Sequence, residues 1–216
     1  MFDFIKNNEV VDQENAEEDD SSVYLSIGDL MSGLLMFFAL LFITTLLQLA
    51  EKDTPKRVVI GNVVGEMQSK NINVKVNPET GDISIQESIL FAKGSAELKP
   101  EGKAFLRRFI PVYSGVIFSK SEFEREISRV VIEGHTSSEG DYNTNLELSV
   151  RRSSSVAKYI FYDMNFSTKA ALSNKILAAG RGEIDADKSR DNPSDRKVVF
   201  RFQFRSDELK AQTKKK

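Results

Sequence analysis

Cysteine is absent from the 216 residues, which removes disulfides, thiol nucleophiles and thiolate metal sites together. An oxidising compartment such as the periplasm is compatible with that absence. Histidine occurs once, at His135, so a multi-histidine metal centre is excluded. No nucleophile, base and orienter set emerges from the remaining residues, no fixed-period repeat is visible, and neither a cofactor nor a metal is expected. The reading is therefore of a non-enzymatic protein. The most informative absence is of charge: Leu30 to Leu49 (LMSGLLMFFALLFITTLLQL) contains no Asp, Glu, Lys or Arg. At about 1.5 Å per residue this run covers roughly 30 Å, the thickness of a bilayer core, and buried helices of soluble proteins seldom hold so long an apolar run. It starts too far into the chain for a cleaved signal peptide and lacks a basic region before it. A single permanent transmembrane helix over residues 23–50 is expected.

One carboxylate, Asp29, stands at the edge of that run. With the helix starting near Val23, it lies about one turn inside the membrane boundary. Helical spacing stacks it on one face with Gly33, Met36, Leu40, Ile43 and Leu47, flanked by Ser26 and Ser32. Small residues on such a face let another helix come close and shield the acid from lipid. Burial there would raise the carboxyl pKa toward neutrality, and an ionisable group within a span points to ion transfer. The alternative is an interfacial acid stabilised by the helix dipole.

The net charge of −2 conceals an asymmetry. Residues 1–22 carry eight acids against Lys6 alone, composing an acidic tail too polar to bury a core. Lys52, Lys56 and Arg57 follow the span, so the positive-inside rule alone would place the large carboxy-terminal part in the cytoplasm. Residues 51–84 read as a linker and hairpin. In them Pro55 breaks the helix, Val58 to Lys70 forms a short helix, and Asn73 to Ser88 alternates on both sides of a PETGD turn. Beyond it, Ile89 to Phe91 reads as a strand end, Lys99 to Phe118 as a helix, Arg129 to Glu133 as a buried strand, and Asn145 to Asn165 as a helix. Ile176 to Ala179 and Lys197 to Phe204 follow as strands, the last at an edge. This is an α+β chain whose carboxy-terminal part is a two-layer α/β sandwich with βαβαβ order. A basic tail, residues 206–216, closes the sequence; without interleaved aromatics it does not suggest nucleic-acid contact.

Phe91 to Lys99 (FAKGSAELK), Gly134 to Thr136 (GHT), Asn145 to Arg152 (NLELSVRR) and the later PSDRKVVF resemble the OmpA carboxy-terminal family over residues 85–205. That resemblance implies a peptidoglycan-binding domain. In the family a loop aspartate and a helix arginine hold the amine and carboxylate of the diaminopimelate side chain of the stem peptide. The arginine falls on Arg152, with Thr136, Asn145 and Leu148 in the matching loop and helix. The aspartate position is occupied by Ser137, which cannot pair with an ammonium as a carboxylate does, and Glu139 or Asp141 could substitute. The pattern alone favours a surface arginine beside Glu147 for Arg152, and His135 reads as a scaffold residue of the loop.

A span with an acid near its start followed by such a domain resembles the MotB type of stator subunit, and SIGDLMSGLLMFF is similar to the span of the ZorB branch found in the Zorya anti-phage system. The acidic tail and short linker fit that branch better than flagellar MotB. The resemblance implies a homodimer inside a five-membered ring of a MotA- or ZorA-like membrane protein. It also implies Asp29 relaying protons, a cytoplasmic amino terminus open to cytoplasmic effector proteins, and a periplasmic domain gripping the wall, all at the cell inner membrane. A flagellar stator or a passive wall tether remains an alternative.

Overall fold

The computed structural model describes residues 3–208, with side chains described at Tyr24, 26–48 and 56–208. Helix α1 (Asp3–Ser69) belongs to two compact units, Met1–Lys52 and Asp53–Lys216, each treated by itself. In the first unit, Ser26–Gln48 is long and apolar enough to cross a membrane, and none of it is buried by the chain. Ser32 and Thr45 return their hydroxyls to the carbonyls of Gly28 and Leu41, four residues earlier, at 2.7 Å each. These hydroxyls thus satisfy themselves within the helix. The backbone is helical from Asp3, where composition suggested an unfolded tail; once a helix is nucleated by a long apolar segment, extending it is cheap.

The second unit begins with the end of α1, not with a linker broken at Pro55. A proline inside a helix costs about 3 kcal/mol. Burial of Val59, Ile60, Val63 and Met67 in the core outweighs it, at roughly 1.5–3 kcal/mol per large apolar side chain. The hairpin follows as β1 (Lys75–Val76) and β2 (Ile83–Gln86), paired antiparallel. After it come α2 (Glu87–Leu90), α3 (Pro100–Ile117), α4 (Ser121–Glu126), β3 (Ile127–His135), α5 (Tyr142–Lys158), α6 (Lys169–Ser173), β4 (Ile176–Gly182) and β5 (Lys197–Phe204).

The five strands form one sheet in the order β1-β2-β5-β3-β4. Here β3 and β4 are parallel, while β5 runs antiparallel to both β2 and β3. The last strand is therefore central, not an edge. Its inner face, Val198, Phe200, Phe202 and Phe204, is buried, and on the other face Val199 is buried too while Lys197, Arg201 and Gln203 are half-buried. Those phenylalanines meet α3 through Phe109 and Tyr113, with ring centroids 5.1 Å apart for Phe109 and Phe200 and 5.3 Å for Tyr113 and Phe202. Two further expectations shift. The segment at Ile89 is a helical turn, because the chain leaves the sheet at Glu87, whose amide donates to the Arg196 carbonyl at 3.0 Å. Helix α5 starts three residues early, capped by Asp141, and ends in a π turn at Tyr159–Asp163.

Helix α5 packs against β3 and β4 at backbone contact distance. A Cβ on Gly134 would lie 2.1 Å from the Ser149 carbonyl oxygen, and one on Gly180 2.5 Å from the Ser149 hydroxyl. Glycine is required at these positions for that approach. It brings the start of α5 over the carboxy-terminal end of β3, where the loop of interest begins. Gly134→Ala should destabilise the folded unit by roughly 3 kcal/mol, read as a lower urea midpoint with unchanged slope. A loss below about 1 kcal/mol would contradict this packing.

Candidate functional site

The loop joining β3 to α5 starts with His135, Thr136 and Ser137, all three buried. The Thr136 amide donates to the Gly182 carbonyl at 2.9 Å, and the Gly182 amide donates to the Ser149 hydroxyl at 3.0 Å. The two parallel strand ends and the helix are locked together there. Asp141 caps α5: its carboxylate accepts from the Thr144 amide at 3.0 Å and the Thr144 hydroxyl at 3.3 Å. Asn145 is buried, and its amide nitrogen donates to the Glu139 carbonyl at 3.1 Å and to Glu183 at 2.6 Å. Asp141 and Asn145 therefore build the loop. Leu148 is half-buried on α5, and Glu139 is exposed.

Among the described residues Arg152 is the largest fully buried side chain, at 2% exposure. Its Nη2 donates to Glu87 Oε1 and its Nε to the Ser95 carbonyl at 2.9 Å, and its guanidinium lies 5.5 Å from the Phe91 ring centroid. It is not the surface arginine that its spacing allowed; Arg151 is, exposed and 3.6 Å from Glu147. Burial would pull the Arg152 pKa down, and Glu87 opposes that pull. The other oxygen of Glu87 meets Arg196 Nε at 3.1 Å. Arg196 Nη1 in turn donates to the Ser137 hydroxyl at 3.2 Å and to both oxygens of Asp191, at 2.8 and 3.0 Å. An unbroken chain of charge runs outward: Arg152, Glu87, Arg196, Asp191.

The chain opens on a cleft of about 340 Å³ lined by Glu87, Phe91, Lys93, Lys99, Pro193 and Arg196, among others. Lys93 pairs with Glu139 at 3.3 Å. Such an arrangement suits a small ligand with both charges, since carboxylates and cations alternate at hydrogen-bond spacing. Three members, Glu87, Asp191 and Arg196, went unrecognised in the sequence. Arg196 lies inside the quoted PSDRKVVF run and Glu87 four residues before FAKGSAELK, but their pairing crosses the whole domain, and nothing local announces it. Removing Glu87 leaves the Arg152 charge buried without its carboxylate. Glu87→Ala should therefore cost about 3–5 kcal/mol in denaturant unfolding, and replacing both with Leu and Met far less.

On the sheet face, His135 Nε2 lies 3.4 Å from Glu133 Oε2 and its Nδ1 3.6 Å from Asp185. Arg201 reaches both Asp82, at 3.1 Å, and Glu133, at 3.2 Å. Burial pushes the Glu133 carboxyl up, but His135, Arg201 and Arg181 together hold it below the usual range. Stability from that depressed pKa is present above the unfolded carboxylate value and is lost as pH falls through the folded one. Arg201→Met should shrink this contribution, giving a shallower loss of stability below about pH 4.5 in acid titrations followed by circular dichroism. An unchanged acid slope would deny Arg201 that role.

In the span, Asp29 is exposed and sits beside Ser26, Leu30, Gly33, Leu34 and Phe37. It belongs to the first unit. No group of three or more His, Asp or Glu side chains suited to a metal ion occurs among the described residues.

Comparison with known proteins agrees with this architecture. The chain is 26% identical over 212 residues to the Zorya protein ZorB of Escherichia coli strain Crooks, covering 86% of this chain and 89% of that protein. A second Zorya protein ZorB, from Escherichia coli O139:H28 strain E24377A, is 26% identical over 215 residues, covering 90% and 85%. The crystal structure of a MotB like protein from Desulfovibrio vulgaris shares the fold with a TM-score of 0.51 and 20% identity, over 71% of this chain and 94% of that one. An apolar amino-terminal helix thus precedes an α+β domain that shares the fold of the MotB like protein, in a chain similar to the two ZorB proteins over most of its length. The OmpA family profile matches residues 90–199, half of the chain, and takes in the β3 end, the capped loop, Arg152 and Arg196: the chain belongs to the OmpA family.

Proposed function

We propose that this chain is the ion-conducting, wall-anchored subunit of a proton-driven rotary motor of the MotA/MotB type, serving as a ZorB-like component of an anti-phage defence system. The supporting observation is one chain that joins a carboxylate, three residues into an apolar span, to an OmpA domain, with similarity to ZorB proteins along most of its length. In this reading two copies stand inside a five-membered ring of a MotA- or ZorA-like partner in the inner membrane. The amino terminus faces the cytoplasm, within reach of effector proteins, and the domain faces the periplasm despite the lysines after the span.

The physical cycle follows from Asp29. A proton arriving from outside neutralises the carboxylate and removes its penalty for sliding against an apolar surface; release inward restores the charge and resets the contact. Each charge crossing 100 mV supplies about 2.3 kcal/mol. Turning work needs a fixed point, and the domain supplies it by holding peptidoglycan through the Thr136–Asn145 loop and the Arg152 cluster, with Glu139 at the rim. Ligand carboxylate reaching this cluster meets Arg196 first, with Arg152 behind Glu87.

Asp29→Asn keeps the side-chain shape and removes titration. With the partner ring co-expressed, we expect unchanged membrane insertion and wall binding, together with loss of proton flux in vesicles and of phage protection to background. Full protection by the variant would instead make the chain a passive tether, and rescue of swimming in place of protection would make it a flagellar stator.

A further inference from the structure

Position 137 holds a serine where the wall-binding loop of the family has an acid, yet the structure brings an acid to that serine from elsewhere. Asp191 lies in the loop between β4 and β5, more than fifty residues away in sequence. The Ser137 hydroxyl hydrogen-bonds to the Asp191 carboxylate, and Arg196 clamps both of its oxygens at 2.8 and 3.0 Å while also donating to Ser137 at 3.2 Å. Ser137 is buried, while the Asp191 side chain keeps 39% of its surface. Each carboxylate oxygen has two lone-pair sites, so a carboxylate held by Arg196 and one hydroxyl still has capacity to accept from a ligand.

The neighbouring acids are committed elsewhere. Asp141 caps α5, Glu183 is held by Asn145 and Lys188, Asp185 by Arg181, and Asp195 accepts the Asp187 amide at 2.9 Å. Glu139 is exposed and joined to Lys93 at 3.3 Å, with Arg196 only at 3.9 Å. Asp191 is the acid that is both fixed by Arg196, a residue lining the cleft, and open to solvent.

We propose that Asp191 receives the ammonium group of the ligand, with Ser137 and Arg196 as positioning residues, so that the site reads a zwitterionic amino-acid end: its ammonium at Asp191, its carboxylate on the Arg196 side. This rests on the wall-binding reading above. Ser137 and Arg196 also hold the Asp191 carboxyl below the usual carboxylate range. Its charge is thus present at neutral pH and is lost only as pH falls through that lowered value.

The test uses the full chain in detergent micelles and a soluble muropeptide whose stem ends in a free side-chain amine, against the same muropeptide acetylated on that amine. Calorimetry on the unaltered chain should show about a tenfold preference for the free amine, the size of one charge-assisted contact. Asp191→Asn should abolish the preference, the free-amine muropeptide then binding no better than the acetylated one, while an unchanged circular dichroism spectrum separates this result from misfolding. Adding Ser137→Asp to that variant should restore the preference by returning an acid to the same spot. Retention of the preference by Asp191→Asn, or its loss on Glu139→Gln alone, overturns the assignment. If the unaltered chain binds neither muropeptide nor purified sacculi, the wall-binding reading itself fails and takes this inference with it.

Discussion

The buried pairing of Arg152 with Glu87 is the contact around which the domain's functional end is arranged. Arg152 comes from α5, Glu87 from the turn that leaves β2, and the Ser95 carbonyl from the loop before α3. Taking both charges out of water is expensive, and a buried pair seldom repays that cost by attraction alone. What it does achieve here is geometric. One oxygen of Glu87 is spent on Arg152, which leaves the other to orient Arg196 at 3.1 Å, and Arg196 carries the pattern out to Asp191 at the surface. A cation that never meets solvent thereby sets the position of the charges that do. The close approach of α5 at Gly134 and Gly180 serves the same end, since it fixes the helix from which Arg152 projects.

The membrane segment follows the opposite logic. Leu34, Leu35, Phe37, Phe38, Leu41 and Phe42 are all exposed, and nothing in the chain covers them. Their burial must come from lipid or from other helices, so the first unit is incomplete by itself in the sense that matters energetically. Asp29 inherits that dependence. Whether it is a surface acid or a proton carrier is decided by what packs on the Gly33 side, where small residues offer the closest approach. The domain can define its own site from within one chain, whereas the span needs neighbours to define its own.

The sequence made much of this legible. Periodicity and length gave the span, the hairpin, α3, α5 and strands β3 to β5, because those elements carry strong local signals. The loop and Arg152 were singled out through the resemblance of GHT and NLELSVRR to the OmpA family; the pattern by itself favoured a surface arginine. What stayed hidden was long-range. The central place of β5 depends on pairing with β2 and β3 at once, and alternation in KVVFRFQF says only that one face is apolar. Pro55 reads as a helix breaker unless one knows that Val59, Val63 and Met67 are buried in the core just beyond it. Arg151 and Arg152 are adjacent and alike in sequence, yet one is exposed and the other buried, because 100° of helical rotation separates a solvent-facing residue from one facing Glu87.

Charge balance explains why serine is tolerable at position 137. Near Arg196 stand three carboxylates, Glu87, Asp191 and Glu139, against Arg152, Arg196 and Lys93, so the cluster is neutral as built. An aspartate at 137 would add a fourth negative charge within hydrogen-bond reach of Arg196, and like charges so close disfavour ionisation of one another. The site has room for one acid at that spot, and the loop between β4 and β5 already provides it. Serine then does what a second carboxylate could not: it is small enough to be buried, and its hydroxyl can accept from Arg196 while donating to Asp191. The departure from the family pattern at 137 is in this sense a relocation of charge, and the alternation of both signs is a property of the cluster as a whole.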